Sequence, residues 1–267
     1  MNNIIAIANQ KGGVGKTTTT FNLGAALALN HDKKVLLIDL DPQANLSEYL
    51  CYDGKSTLTI TTLISEVAVN TVISADTVAQ SIRYNDKNKL YYIPADINLA
   101  NAETIMSTAL ARETILKRIL SPEVTNQFDY ILIDCLPSLG ILLINALTAA
   151  DGMIIPVQTQ KFSLDGLQAL TGLLNQVRST INSKLVLTGI LPTMVDYTNI
   201  SRNALKSLTD RSDKVFDTVI HKSVEAAKSS ESGNALCMTK NKLGEEYKAL
   251  AEEVLHNNKS IELMEEI

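Results

Sequence analysis

The chain has 267 residues with 24 Lys and Arg against 29 Asp and Glu, a formal net charge of −5. That length is ample for a buried core, and 45% hydrophobic with 20% charged residues excludes a disordered or fibrous chain. Three cysteines, Cys51, Cys135 and Cys237, in no CxxC spacing argue against a disulfide framework or a zinc site.

The opening residues 1–6 lack a basic segment followed by a long apolar one, so no signal peptide is expected. Ile4 to Ala8 reads as a first strand. Lys16 to Asn30 reads as a helix with Leu23, Ala26, Leu27 and Ala28 on its apolar face. Val35 to Ile38 is a continuous apolar run, the signature of a parallel strand buried on both faces. The polar stretch 53–89 is the least regular part and reads as a surface excursion. The buried-strand signature returns at Leu90 to Pro94, Tyr130 to Ile133, Met153 to Val157 and Leu185 to Leu191. Helices are predicted over 97–120, 140–150, 163–182, 199–211 and 242–256. The most apolar stretch, 140–157, is interrupted by Asn145, Thr148, Asp151, Gly152 and Pro156 and is no membrane span. Strands alternating with helices predict a doubly wound α/β fold with a mostly parallel sheet and right-handed crossovers. No repeat or Pro/Gly-rich linker divides the chain. The expectation is one cytoplasmic domain, 1–267, ending in an acidic helical segment from about residue 243.

Between the first strand and first helix lies Lys11-Gly12-Gly13-Val14-Gly15-Lys16-Thr17-Thr18. Glycines let backbone N–H groups turn inward around phosphate oxygens, and the helix N-terminus adds its positive dipole end. Lys16 then reaches the β/γ-phosphates of a nucleotide, and the Thr17 hydroxyl can ligate Mg²⁺. The standard pattern GxxxxGK[ST] needs a glycine at position 10, where this chain has Gln10; it carries an extra lysine, Lys11, at the loop's mouth.

Asn9 to Thr18 resembles the deviant Walker A motif of the ParA/Soj family of partition ATPases, within the wider group that includes MinD. Leu36 to Gln43, with Asp39 and Asp41, is similar to the family's second acidic motif. Phe128 to Asp134 is similar to its Walker B strand, and Gly189 to Asp196 to a segment near the nucleotide base. The resemblance runs from about residue 2 to about 255 and implies a P-loop NTPase fold with ATP and Mg²⁺ as ligands.

Asp134 ends an apolar strand, so its carboxylate emerges at the sheet edge where doubly wound folds bind ligands; there it can orient the water shell of a phosphate-bound Mg²⁺. Asp39 and Asp41, two residues apart, point to one side if strand geometry persists. Taken alone, each of the three could be an ordinary turn aspartate. The resemblance implies that Asp41 positions the attacking water and that Asp39 helps the metal shell. It also implies that Lys11 crosses to the partner's nucleotide in an ATP-sandwich homodimer, a charge supplied in trans; the alternative is a solvated surface lysine. Thr193, Met194 and His221 are candidates for the base. Two departures stand out. The family's Cys/Thr-Pro-Pro-Ser is here Cys135-Leu136-Pro137-Ser138, one proline fewer. Its Ile-Pro-Arg-Asn-Val-Arg is here Ile220-His221-Lys222-Ser223-Val224-Glu225, which weakens the base and DNA assignments; His221 reads as a structural or base-edge residue.

The net charge has an address. Residues 244–267 hold seven Glu against two Lys, which accounts for all of it and leaves 1–243 neutral; residues 199–242 hold eight basic side chains against five acidic. In the family, basic residues of the C-terminal third bind double-stranded DNA without sequence preference, and Arg202, Lys206 and Lys222 are the candidates here. Such binding rests on phosphate neutralisation and is steeply salt-dependent. The phosphate loop lies so close to residue 1 that no helix-turn-helix is expected ahead of it. The resemblance implies a cycle in which an ATP-bound dimer binds the nucleoid and is released by slow hydrolysis, stimulated by a ParB-type centromere-binding partner. Three rivals remain. A MinD-like membrane switch needs a basic amphipathic tail, and this one is acidic. An iron-protein-type reductase needs cluster cysteines. A non-hydrolysing adaptor differs only in turnover.

Overall fold

In the computed structural model, which describes residues 3–55, 57–161, 164–212 and 214–265, the apolar runs become strands. They are β1 (Asn3–Ile7), β2 (Val35–Leu40), β3 (Arg83–Asn85), β4 (Leu90–Ile93), β5 (Tyr130–Cys135), β6 (Gly152–Gln158) and β7 (Val186–Thr193). They pair in the order β3-β4-β2-β5-β1-β6-β7. All neighbours are parallel except β3, which runs antiparallel to β4 at one edge. From β1 the chain moves outward on one side to β2 and β4 and later on the other to β6 and β7. The crevice at the C-terminal end of β1 is therefore the switch point where such sheets bind ligands.

The helices are α1 (Lys16–His31), α2 (Asn45–Tyr49), α3 (Ile60–Asn70), α4 (Ala75–Ser81), α5 (Ala102–Ser107), α6 (Ile115–Ile119), α7 (Pro122–Thr125), α8 (Ile141–Ala149), α9 (Leu164–Thr180), α10 (Asn199–Thr209), α11 (Glu225–Ser232) and α12 (Lys242–Glu265). The period-2 alternation of the strands splits them between two cores. Ile4, Ala6, Leu36, Ile38 and Leu40 pack with Leu63 of α3, Leu142 of α8 and Leu170 of α9. Ile5, Ile7, Val35 and Leu37 pack on the other face with Leu23 and Leu27 of α1 and Tyr247, Leu250 and Val254 of α12. Continuous apolar runs are what a sheet covered on both faces demands.

Two expectations are corrected. The stretch 53–89 is no surface excursion: Ile60, Leu63, Ile64 and Val67, spaced i, i+3, i+4, i+7, make α3 a core helix. Thr59 opens it with a capping box closed by Thr62. The helix expected over 97–120 is broken into 3₁₀ turns, α5 and α6, with Ala111 in the left-handed region at φ 49°. Asn145 of α8, fully buried, secures the break: its amide donates to the Arg112 carbonyl at 2.8 Å and its oxygen accepts from Leu116 N at 3.1 Å.

The outer edge of β7 is covered by residues 214–222. Phe216 N donates to Ile190 O at 3.0 Å and Ile220 N to Pro192 O at 2.9 Å. Gly189 is required there, because an added Cβ would lie 2.3 Å from the Phe216 ring. Glutamates of α12 pin the same segment: Glu253 accepts from the amides of Asp217 and Thr218 at 2.9 and 3.1 Å, and Glu246 from that of His221 at 2.9 Å. Part of the acidic C-terminal charge thus serves as hydrogen-bond acceptors rather than as a solvated face.

Candidate phosphate-binding site

The loop between β1 and α1 turns on Gly13 (φ 69°) and Gly15 (φ 89°), left-handed positions that favour glycine. It is fastened from both sides. Asn9 donates to Pro156 O on β6 at 2.7 Å, and Thr193 at the end of β7 donates to Val14 O at 2.8 Å. The first helical bond of α1 runs from Thr19 N to Gly15 O, so the amides of Lys16, Thr17 and Thr18 precede the helix ladder and face the loop's concavity. Gly12 and Gly13 are exposed, and a Cβ built on either meets nothing within 4 Å. That open cradle of amides has room for phosphate oxygens.

Lys16 lies inside it, buried, with Nζ donating to Lys11 O at 3.2 Å. Burial pulls its ammonium below the usual lysine range, against the raising effect of Asp134, Cys135 and Asp41 nearby. The Thr17 hydroxyl donates to Asp134 Oδ2 at 2.7 Å, and Thr20 reaches Oδ1 at 3.4 Å. β2 extends past Ile38 and β5 past Ile133, so Asp39 and Asp134 are directly opposite in the parallel register. Burial, and then the neighbouring Asp39 charge, push the Asp134 carboxyl well above the ordinary range. Burial does the same to Asp39. A divalent cation at this point would relieve both. Among the described residues no three His, Cys, Asp or Glu side chains are grouped to hold a metal by themselves. The oxygen pair Thr17–Asp134 suits a hard cation that keeps waters and phosphate oxygens as its other ligands.

Asp39 Oδ2 accepts from both Ser47 N (2.9 Å) and Ser47 Oγ (2.7 Å), and its Oδ1 accepts from Asp41 N at 3.2 Å. Of about four lone-pair directions on a carboxylate, one remains. Asp41 follows β2, accepts from Gln43 N at 2.9 Å, and is close enough to Lys16 to act on its charge. Lys11 is half-buried at the loop's mouth. Gly166 of α9 allows this approach, since a Cβ there would lie 2.7 Å from Gln10 Nε2 and 3.9 Å from Lys11 Cε.

Thr193 and Met194 (φ 50°) lie at the end of β7, and Thr193 is spent on holding the loop. His221 pairs with Val195 and sets its Nδ1 2.7 Å from Glu246 Oε1. With Tyr197, Lys222 and Lys242 these two line a cavity of ≈ 290 Å³. Arg202 and Lys206 are exposed on α10, and Lys222 is exposed beside the same strand end. Arg202 donates to Tyr197 O at 3.2 Å and Lys222 N to Val195 O at 3.0 Å, which brings the two cations to one region. Residues that the sequence did not single out also build the site: Ser47, Gly166 and Tyr49, whose hydroxyl lies 3.1 Å from Thr18 Oγ1. Cys135 and Cys237 are buried, and burial raises both thiols, which leaves them inert.

A family model described as an AAA domain matches residues 2–187. The sporulation initiation inhibitor protein Soj of Bacillus subtilis is 40% identical over 261 residues, 96% of this chain and 100% of that one. The chromosome-partitioning ATPase Soj of Treponema pallidum is 39% identical, covering 87% of this chain and 88% of its own. Among solved structures, a Mycobacterium smegmatis protein described as cobyrinic acid a,c-diamide synthase, with bound ATP analogue and magnesium, superposes with a TM-score of 0.83 at 34% identity. That match covers 97% of this chain and 96% of the other. Loop, acidic strand ends and near-complete coverage agree: the chain belongs to the ParA/Soj family of partition ATPases.

Proposed function

We propose that this protein hydrolyses ATP with Mg²⁺ to partition a DNA element, binding non-specific double-stranded DNA as an ATP-sandwich homodimer. The observation that carries the reading is the junction of the phosphate loop with the Walker B strand, where the Thr17 hydroxyl donates to Asp134 beside the inward-turned Lys16. Backbone amides of residues 12–18 receive the phosphates, and Lys16 neutralises the β/γ-oxygens. Bound Mg²⁺ supplies charge neutralisation on the same oxygens. Thr17 and Asp134 are the residues that hold it, with Asp39 beside them for its water shell. Asp41 orients the attacking water, and Lys11 reaches the partner protomer's nucleotide, completing each site in trans. Thr193, Met194 and His221 border the base.

Arg202, Lys206 and Lys222 form the DNA face, doubled in a dimer. A ParB-type centromere-binding protein accelerates turnover, which fits a site whose rate depends on how well Lys11 and the water near Asp41 are ordered. The protein works in the cytoplasm on the nucleoid. Among the described residues no helix is long and apolar enough to cross a membrane. Phosphate release from ATP in the presence of Mg²⁺ tests the reading. Slow release that K16A abolishes supports it, and nucleotide binding without any turnover, alone or with DNA, identifies an adaptor instead.

A further inference from the structure

The helix α2 is tied at both ends to the two halves of the site. At its start, Ala44 N donates to Asp41 O at 2.9 Å, and Ala44 takes a left-handed conformation (φ 54°) to turn the chain into the helix. Ser47, buried, donates to Asp39 Oδ2 through both its amide and its hydroxyl. The same hydroxyl accepts from Ala95 N at 3.0 Å, which fixes the rotor so that its proton points at Asp39. Asp39 in turn holds the Asp41 amide through its other oxygen. At the far end, the Tyr49 hydroxyl lies 3.1 Å from Thr18 Oγ1, and the Tyr49 ring packs edge-on against Phe21 at 5.2 Å. Thr18 and Phe21 belong to α1, the helix that follows the phosphate loop.

We infer that Ser47 is a positioning residue for hydrolysis: through Asp39 it fixes the backbone of Asp41, and α2 is a strut that sets the distance from that aspartate to the phosphate helix. The inference rests on the assignment of Asp41 as the water-positioning group. Asp39 faces Asp134 across the strand register, two carboxylates on adjacent strands. Without the Ser47 hydroxyl, Asp39 keeps the two backbone amides but loses its shortest bond, so its carboxylate, and with it the Asp41 amide, is less firmly held. Misplacing a group in a reacting site by an ångström costs up to about 100-fold in rate. The phosphate loop is fastened by Asn9 and Thr193 rather than by Ser47, so affinity for metal-free nucleotide is expected to be spared.

The test compares wild type with S47A, S47T and S47C, in steady-state ATP turnover and in affinity for ADP without Mg²⁺, at a temperature well below every melting point. S47A is expected to lose roughly 10-fold or more in kcat while its ADP dissociation constant stays within about twofold. S47T keeps the donor and is expected to turn over like wild type. S47C, a weaker donor, is expected to fall between. S47A also orphans the Ala95 amide, so a lower melting temperature accompanies either outcome and decides nothing. If S47A does not fold, the order wild type, S47T, S47C carries the same test. An unchanged kcat in S47A, a parallel fall of kcat and ADP affinity, or S47T as slow as S47A overturns the inference. D41N separates it from the reading beneath it. If D41N hydrolyses ATP normally, the Asp41 assignment falls and this inference with it. If D41N is slow and S47A is not, only the role of Ser47 falls.

Discussion

The Thr17 hydroxyl donates to Asp134 across 117 residues of sequence, at 2.7 Å, and so joins the first turn of α1 to the end of β5. The bond sets a hydroxyl and a buried carboxylate in one place, the pair proposed above to hold Mg²⁺. The arrangement is costly when empty, because Asp134 is deprived of water and faces Asp39. A site that is destabilised empty and relieved when filled couples folding stability to ligand.

D134N separates those two effects. The raised Asp134 pKa means that the folded protein holds a proton which the unfolded chain has lost, so stability falls as pH rises above the ordinary carboxylate value of about 4. Asn removes the charge and keeps an oxygen for Thr17. Without nucleotide, D134N is expected to be more stable than wild type by at least about 1 kcal/mol near pH 8, with the gap shrinking towards pH 5. Its Mg²⁺-dependent gain in ADP affinity is expected to be lost. Chemical denaturation at several pH values, paired with calorimetric ADP titrations with and without Mg²⁺, measures both. A less stable apo D134N at pH 8 contradicts the electrostatic account.

Lys11 sits at the loop's mouth, where Gly166 lets it approach α9. K11A is expected to bind ATP within a few-fold of wild type and to lose both ATP-driven dimerisation and hydrolysis. Light scattering with ATP and Mg²⁺ reads the mass directly. Dimers of normal stability in K11A would assign the lysine to the protomer's own surface.

Removal of a DNA-binding cation flattens the salt dependence of binding by about one unit of log–log slope for each phosphate it no longer neutralises. R202A, K206A and K222A are each expected to do so, twice over in a dimer. A variant whose slope matches wild type lies off the DNA face.

The fold was largely legible because buried parallel strands must be apolar throughout, and every such run became a strand. The strand ends were not. Asp39 and Asp134 interrupt the apolar pattern, yet the backbone ladder continues through them, and that continuation sets them opposite each other. The helix α3 carried a readable i, i+3, i+4, i+7 pattern that polar neighbours concealed. That the glycine loop, Lys16, Thr17 and Asp134 meet at one point could be anticipated from local sequence, because the glycine, lysine and hydroxyl spacing lies within one strand–loop–helix turn. Ser47 and Asn145 could not, since Ser47 joins the Asp39 carboxylate to the Ala95 amide and Asn145 holds backbone groups of Arg112 and Leu116, partners brought near only by tertiary folding.

In the proposed cycle, nucleotide state governs DNA binding. The direct measurement is the affinity of the wild-type protein for a long duplex of arbitrary sequence with ATP, with ADP and without nucleotide, each with Mg²⁺ and across a salt series. Tight binding with ATP alone, falling linearly in log affinity against log salt, is the expected result. Equal binding in all three states, or none in any, would contradict the partition mechanism.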